Sequence, residues 1–408
     1  MLSTLTIMLA CSNYNLCLRG NHSLQEEVNP MRLILCGFLF TIVALIPTRA
    51  HAEDGIAMVF LTLPDGARSG AMGSAFVAVA DDALGMFVNP AGIAPDFDAK
   101  AAFPWPCELT STDRQRWMPV LDLDDMWLQS RGGYVGISES GAIGMSHKRL
   151  NVGEAYDLDV ESNELKTFNV FDEAYGITGA MRVHPQLKVG AALKYIHSQL
   201  HPDDGTCNTW AVDFGMFYHL RPFASSDLLV VPGLSVGVSL ANLGPDVRYD
   251  RSTTHNPLPR LIRVGFAQEV QCTRVARILL SAEFDKIMVN WHEDSLGDEL
   301  RESTRRIGVE GELRIPLNTA ELRMGISLFG RLGYYYDYEI GNEPEGRTEG
   351  YGIGFDAILS SGGPGLLMRV DFGTQEPPDY LGDADSEFAS ATLSIVPRIW
   401  DNRRSPNH

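Results

Sequence analysis

Cysteine is scarce in this chain. Six occur in 408 residues. Cys11, Cys17 and Cys36 sit in an N-terminal stretch that reads as a leader, which leaves Cys107, Cys207 and Cys272. Their number is odd and their spacing fits no metal site. One disulfide could form among them, and the sequence does not say between which two. Basic residues are also short, with 33 Lys and Arg against 52 Asp and Glu and a formal charge of −19. Nucleic acid needs basic patches, so that class of partner is excluded. Long apolar runs are missing too. An α-helical membrane protein shows several of about 20 residues. The uncharged stretch Leu228 to Pro245 contains Pro232, Gly233 and Gly237 and alternates strictly, so it reads as a strand with its flanks.

Chemistry-bearing constellations are absent as well. Gly66, Gly70 and Gly73 lack the spacing of a nucleotide loop, and no P-loop Lys follows. His197 and His201 are four apart, but they end an alternating strand and share no helical face for zinc. Asp203-Asp204-Gly205 beside them reads as a turn. The acidic run Leu121 to Asp125 lacks the oxygen spacing of a calcium loop and reads as solvated. No nucleophile elbow occurs. The expectation is a protein that is not an enzyme and carries no cofactor and no metal.

One apolar run does exist, Leu33 to Ile46, preceded by Met31-Arg32 and followed by Ala50-His51-Ala52. A basic start, an apolar centre and small residues before a cleavage point form a secretory signal peptide. The expected mature chain starts at Glu53 and translation at Met31. The expected layout is a leader over 1–52, a small-residue segment over 53–97, alternating strands over 98–396 and a polar tail over 397–408.

The stretch Gly66 to Ala94 organises the rest. Its first half is nearly all Gly, Ala and Ser, which lets backbone pass close to backbone. Asp81 and Asp82 can cap a short helix over Ala83 to Phe87, and Asn89-Pro90 breaks it. After it, alternation with a period of two dominates. Trp210, Val212, Phe214, Met216 and Tyr218 share one face; Leu234, Val236, Val238 and Leu240 repeat the pattern, as do Ile307, Val309, Leu313 and Ile315, and Leu322, Met324, Ile326 and Leu328. About fourteen segments of roughly ten residues fit the strands of a transmembrane barrel. They start near 98, 132, 142, 173, 187, 207, 233, 259, 274, 304, 321, 349, 365 and 387. Long connections at 105–131, 151–172, 199–206, 243–258, 286–303, 330–348 and 374–386 alternate with short ones at 139–141, 184–186, 271–273, 316–320 and 360–364. That asymmetry puts the short turns in the periplasm and the long loops outside. Only 220–232 is long for a turn.

The polar faces carry Lys188, Lys194, Asp213, Arg263, Glu269, Arg277, Glu283, Glu310, Glu312, Arg314, Arg323, Arg369 and Asp371. On the lipid face an Arg or Lys near the midplane would cost about 2–4 kcal/mol. They are therefore expected to face the lumen, where they pair with one another and fasten the segment over 53–97 or line a path for a solute.

The pattern Gly70-x-Met72-Gly73, Ala78-x-Ala80-Asp81-Asp82 and Asn89-Pro90-Ala91-Gly92 resembles the start of the PorV/PorQ and FadL-like (long-chain fatty-acid transporter) outer-membrane β-barrel proteins. Val88 departs from it, where the group usually carries a bulky aromatic. The resemblance implies an all-β fold, an antiparallel transmembrane barrel with a short N-terminal hatch inside the lumen. It implies a place in the outer membrane, lipid as a neighbour and dependence on the barrel-assembly machinery. For function it implies passive transport of hydrophobic small molecules. The other readings are a PorV-like part of a protein-export or envelope-assembly system, with exported protein as cargo, or a structural barrel. Trp400 stands near the end, where such barrels often close on an aromatic, but a polar tail follows it.

Overall fold

The computed structural model describes residues 55–95, 106–116, 126–159, 164–203, 205–220, 224–225, 230–231, 234–250, 255–273, 275–288, 303–317, 319, 322–336, 345–359, 365–375 and 386–396. The leader and its cleavage point, Leu121 to Asp125, the expected strand start at 98 and the tail with Trp400 lie outside them.

Fourteen strands form one closed antiparallel wall. They are β1 (Cys107–Thr112), β2 (Trp127–Gly136), β3 (Gly141–Asp159), β4 (Glu164–His184), β5 (Leu187–His201), β6 (Gly205–His219) and β7 (Leu234–Leu243), then β8 (Leu261–Gln271), β9 (Ala276–Ile287), β10 (Thr304–Pro316), β11 (Leu322–Tyr336), β12 (Glu345–Leu359), β13 (Gly365–Gln375) and β14 (Ser386–Val396). Each pairs with the next in sequence. The barrel closes because β1 pairs on one side with β2, Glu108 opposite Tyr134, and on the other with β14, Glu108 opposite Ser394. Closure leaves no unpaired sheet edge along the shared height of the wall, which a bilayer core demands. Among the described residues no helix is long and apolar enough to cross a membrane.

The alternating pattern produces two unlike faces. Met145, Ile177, Leu193, Leu332, Ile353 and Met368 point outward and are exposed. Lys148, Thr178, Asp213, Glu310 and Asp371 point inward and are buried. Apolar outside and polar inside is the reverse of a soluble core and is what a lipid-embedded wall requires.

Strand length departs from the sequence expectation of roughly ten residues. β3 has 19 residues and β4 has 21. Much of 151–172 is therefore strand rather than loop, and so are the flanks of 199–206 and 330–348; the expected connection 105–131 likewise holds all of β1 and the start of β2. Loop and strand are confused there because the polar residues above a membrane still pair as β ladder, so hydropathy ends before the hydrogen bonds do. A register shift between Asn151 and Gly153, where φ of Gly153 is 115°, marks the change of environment. The exceptional connection 220–233 contains a small hairpin, Ala224–Ser225 against Val230–Val231.

Inside the wall lies the N-terminal segment. Its apolar residues Ala57, Met58, Phe60 and Leu61 pack at the loop end against Leu128, Leu150, Ile196, Val247 and Leu258. Its later residues Ala83, Met86, Ile93 and Ala94 pack at the turn end against Ala142 and Ala180. The segment therefore runs down the height of the barrel.

Candidate functional site: the segment inside the barrel and its polar fastening

The local structure of the segment follows from its sequence. A one-turn helix spans Ala67–Ala71, and 3-10 turns span Ala83–Phe87 and Pro90–Ile93. The Asp82 carboxylate accepts from Gly85 N at 3.0 Å, as a capping residue does. Small residues matter where backbones meet. Gly73, with φ 63°, approaches the backbone of Tyr334, and Gly333 faces it from the wall. Its N–H donates to Thr348 Oγ1 at 2.9 Å.

Asn89 is fully buried. Its Oδ1 accepts from Ala91 N at 3.1 Å, and its Nδ2 donates to Val77 O at 2.9 Å and to Met216 O on β6 at 3.1 Å. One side chain thus closes the Pro90 turn, ties it to an earlier part of the segment and ties both to the wall. Gly215 is what permits the approach, since a Cβ there would strike Asn89 Oδ1. Losing these bonds leaves buried partners unsatisfied at a cost of roughly 1–3 kcal/mol. That is too little to open a fourteen-stranded wall, yet about 1.4 kcal/mol is roughly tenfold in a two-state population. Asn89→Ala and Gly215→Ala are expected to assemble normally, with unchanged heat-modifiable gel mobility, and to show raised channel noise in planar bilayers. Quiet conductance in both would remove any gating role from the turn.

Polar residues inside the barrel form connected groups. Arg68 lies at the centre of the largest. Its Nε donates to Glu310 Oε2 at 2.8 Å and its Nη2 to Glu310 Oε1 at 3.0 Å, a bidentate pair. The same guanidinium contacts Asp81 and lies 3.2 Å from Asp82. The wall continues the group. Arg331 Nε donates to Glu310 at 2.7 Å, and its Nη2 lies 2.8 Å from Asp371. Arg369 pairs with Asp371 at 2.8 Å and returns to Asp82 at 3.0 Å. Arg277 pairs with Glu310, Glu312 and Glu269.

Three smaller groups hold other parts of the segment. Glu283 Oε2 accepts from Phe76 N and Val77 N, both at 2.7 Å. Asp65 pairs with Lys148 at 3.0 Å and accepts from Ser130 Oγ at 2.7 Å, while Lys148 Nζ donates to Leu63 O. The Glu108 carboxylate on β1 accepts from Ala83 N and from Ser394 Oγ.

The residues singled out from sequence fall in these places. Glu269, Arg277, Glu310, Glu312, Arg369 and Asp371 join the Arg68 group. Glu283 holds the segment's backbone, and Arg263 lies 3.8 Å from it. Lys194 and Asp213 pair at 2.8 Å on β5 and β6. Arg314 pairs with Asp356 at 2.5 Å within the wall, away from the segment. Lys188 lies buried with its Nζ 5.6 Å from the centroid of Phe217. Arg323 sits exposed at the start of β11. Of the motif, Asp81, Asp82 and Asn89 make the polar contacts, Met72 packs in an apolar cluster with Phe76 and Val77, Gly92 allows a close approach to Ala80, and Gly70 faces the Phe388 ring at ordinary contact distance. Sequence reasoning missed Arg68, the residue that joins segment to wall. It also missed Arg331, Asp356, Lys148 and Glu108. A charged residue inside a run of Gly, Ala and Ser was the available signal for Arg68. His197 and His201 bond to different neighbours, Asn208 and Asp157, so they do not converge. Among the described residues there is no cluster of potential metal ligands, and the three late cysteines are free.

Between segment and wall at β3 to β6 a cavity of ≈ 20 Å³ lies between an apolar side, Leu61, Met86, Phe87, Ala174 and Ala192, and a polar one, Ser146, Lys148, Thr178, Lys194 and Asp213. That holds about one water molecule.

A closed antiparallel wall with apolar outside and charged inside, filled by its own N-terminal segment, defines a transmembrane β-barrel. The family model for the type IX secretion system protein PorV matches residues 50–294. The chain belongs to that family. Among solved structures it is similar to a Pseudomonas aeruginosa FadL homologue at 11% identity and a TM-score of 0.39, over 82% of this chain and 97% of that one. It is similar to the Pseudomonas putida toluene transporter TodX at 11% identity and a TM-score of 0.37, over 83% and 99%. A bacterial polysaccharide outer membrane secretin matches at 11% identity and a TM-score of 0.37, over 74% and 100%. No curated protein matches.

Proposed function

We propose that this chain is an outer-membrane barrel that passes hydrophobic small molecules, with the segment 53–94 as its hatch. The observation that carries this is the seam between hatch and wall at β3 to β6. Leu61, Met86, Phe87, Ala174 and Ala192 line it together with Ser146, Lys148, Thr178, Lys194 and Asp213, and it holds about one water. Its charged groups are already engaged, Lys148 with Asp65 and Lys194 with Asp213, so a narrow seam of this kind offers ions and polar solutes little in place of the hydration they would lose. A hydrophobic molecule would meet the apolar side of the seam, provided the hatch yields. The lumen charges act as the fastening of the hatch rather than as a polar path, since most are engaged with one another.

Membership in the PorV family supports a second reading, that of a component of a protein-export system. The two differ in what must leave the membrane-embedded barrel. The test is uptake of a fluorescent apolar dye by liposomes holding the purified protein. The transport reading expects dye entry well above empty liposomes, with sucrose and small ions excluded. No dye entry, together with recovery of the native barrel in a complex with an export-machinery protein, would favour the second reading and remove the first.

Location is tested separately. The mature protein should begin at Glu53, fractionate with outer membranes and migrate faster unheated than heated. Epitopes at 151–172 or 286–303 should be reached on intact cells, and those at 184–186 or 316–320 should not. Reversed accessibility would invert the barrel, and a soluble periplasmic product would end the membrane reading.

A further inference from the structure

The outward face at the loop end of β2 to β6 is ordered in rows. Arg131, His147, Tyr175, Tyr195 and Trp210 follow one another across five adjacent strands as paired residues. Tyr175, Tyr195 and Trp210 are exposed, and His147 stacks on Tyr175 at 4.6 Å. The next row toward the loops is polar, with Arg149 opposite Glu173, then His197 and Asn208. The rows toward the turns are apolar, with Met145, Ile177 and Leu193 exposed. An aromatic row between an apolar band and a polar one marks the edge of the bilayer.

Cations collect at this edge around one indole. The Arg114 guanidinium lies 4.6 Å from the Trp127 ring centroid and that of Arg149 lies 5.9 Å from it. Arg149 also lies over Phe171, at 4.1 Å. Arg116 is the backbone partner of Trp127. Arg131, exposed and paired with His147, lies four residues along β2 from Trp127, on the turn side of Arg149. The described carboxylates nearby are Glu173, 3.4 Å from Arg149, Asp113, which accepts from the Arg114 backbone, and exposed Glu387 on β14, two residues from Ala389, whose carbonyl accepts from Asp113 N. Arg114 and Arg131 have no acidic partner among the described residues.

We propose that the Arg114–Arg131–Arg149 cluster is a binding site for the phosphate of a phosphorylated lipid in the leaflet at the loop end. The chemistry of such a lipid matches the order of the rows. Its acyl chains lie along Leu109, Met145 and Ile177, which are exposed below the cluster. Its phosphate stands at the level of Arg131, where guanidinium donors face an interface of low dielectric. A soluble anion would use the upper row alone and gain nothing from the apolar one. The site rests on the barrel lying in a bilayer and is independent of what the barrel passes.

The experiment uses the full mature protein, with lipid A as the phosphorylated probe. Native mass spectra are recorded after exchange into phosphatidylcholine nanodiscs containing lipid A or its dephosphorylated form. Wild type should retain lipid A and not the dephosphorylated form. Arg114→Gln/Arg131→Gln should reduce retention about 10- to 30-fold, taking about 1 kcal/mol for each cation near a lipid surface. Arg347→Gln, which removes an exposed cation already paired with Glu349 at 3.2 Å, should retain it. Equal retention of the dephosphorylated form, or equal loss in Arg347→Gln, overturns the site. If the double variant fails to show heat-modifiable mobility, the phosphate comparison on wild type decides alone.

Discussion

Removal of residues 53–94 yields a barrel that still assembles and conducts. The wall is held by antiparallel pairs that run from β1 round to β14 and back, and none of these ladders includes the segment. The interior of that wall is charged, with Glu108, Lys148, Asp213, Glu283, Glu310, Arg331 and Asp371 buried only because the segment covers them. Once uncovered they hydrate, so the deletion costs the wall no buried unpaired charge. The lumen then becomes water rather than protein. Single-channel conductance in planar bilayers should rise from background by at least about tenfold, and sucrose should enter liposomes. If conductance stays at background, a connection at the loop end closes the pore from above, and the segment is not the hatch.

Arg68→Met has the second-largest expected effect, and it acts from within the segment. The substitution leaves Glu310, Asp81 and Asp82 without their shared partner, and Glu310 and Asp82 are buried. Breaking a buried ion pair by removing one side costs about 3–5 kcal/mol. The wall can spread part of that cost, because Arg331 and Arg277 still meet Glu310 and Arg369 still meets Asp82. The segment cannot, since its largest polar anchor is gone. The variant should keep heat-modifiable mobility while protease sites near residue 68 become accessible in the folded protein. Arg68→Met/Glu310→Gln should be less open than Arg68→Met alone, because the orphaned carboxylate has been removed as well. Equal protection of wild type and Arg68→Met would show that the apolar packing of Phe60, Leu61 and Met86 alone holds the segment.

Much of the wall was legible in the sequence because a strand in lipid must alternate. Leu234 to Leu240 and Arg306 to Ile315 announce their faces residue by residue, and the structure places β7 and β10 there. The short turns were legible for the same reason, since two strands in sequence leave only a few residues between them. What was not legible is where strands outlast the membrane. Residues 151–159 and 164–172 lose the apolar alternation but keep their backbone ladder, which hydropathy does not report. The Asn89 turn was legible because Asn followed by Pro constrains the backbone whatever surrounds it. The partners of Arg68 were not, because Glu310 lies 242 residues away and only closure of the sheet brings them together. Lys148 was hidden by the same distance. Its charge reads as one more polar residue on an alternating strand until Asp65 is placed against it.

The strand that closes the wall is also its shortest long pairing, six residues from Cys107 to Thr112. It joins the beginning of the wall to its end, Cys107 opposite Ile395, so it is the pairing with the longest loop to close. Contacts between such distant parts of a chain form late, after nearer hairpins have zipped. Glu108 sits in that seam and bonds to both Ser394 and the Ala83 backbone. One carboxylate therefore ties the final event of assembly to the presence of the segment inside. A chain whose segment is still outside lacks the Ala83 bond when the seam comes together, and the seam is correspondingly slower to set. Closure in time thus acts as a checkpoint, favouring barrels that have already swallowed their own beginning.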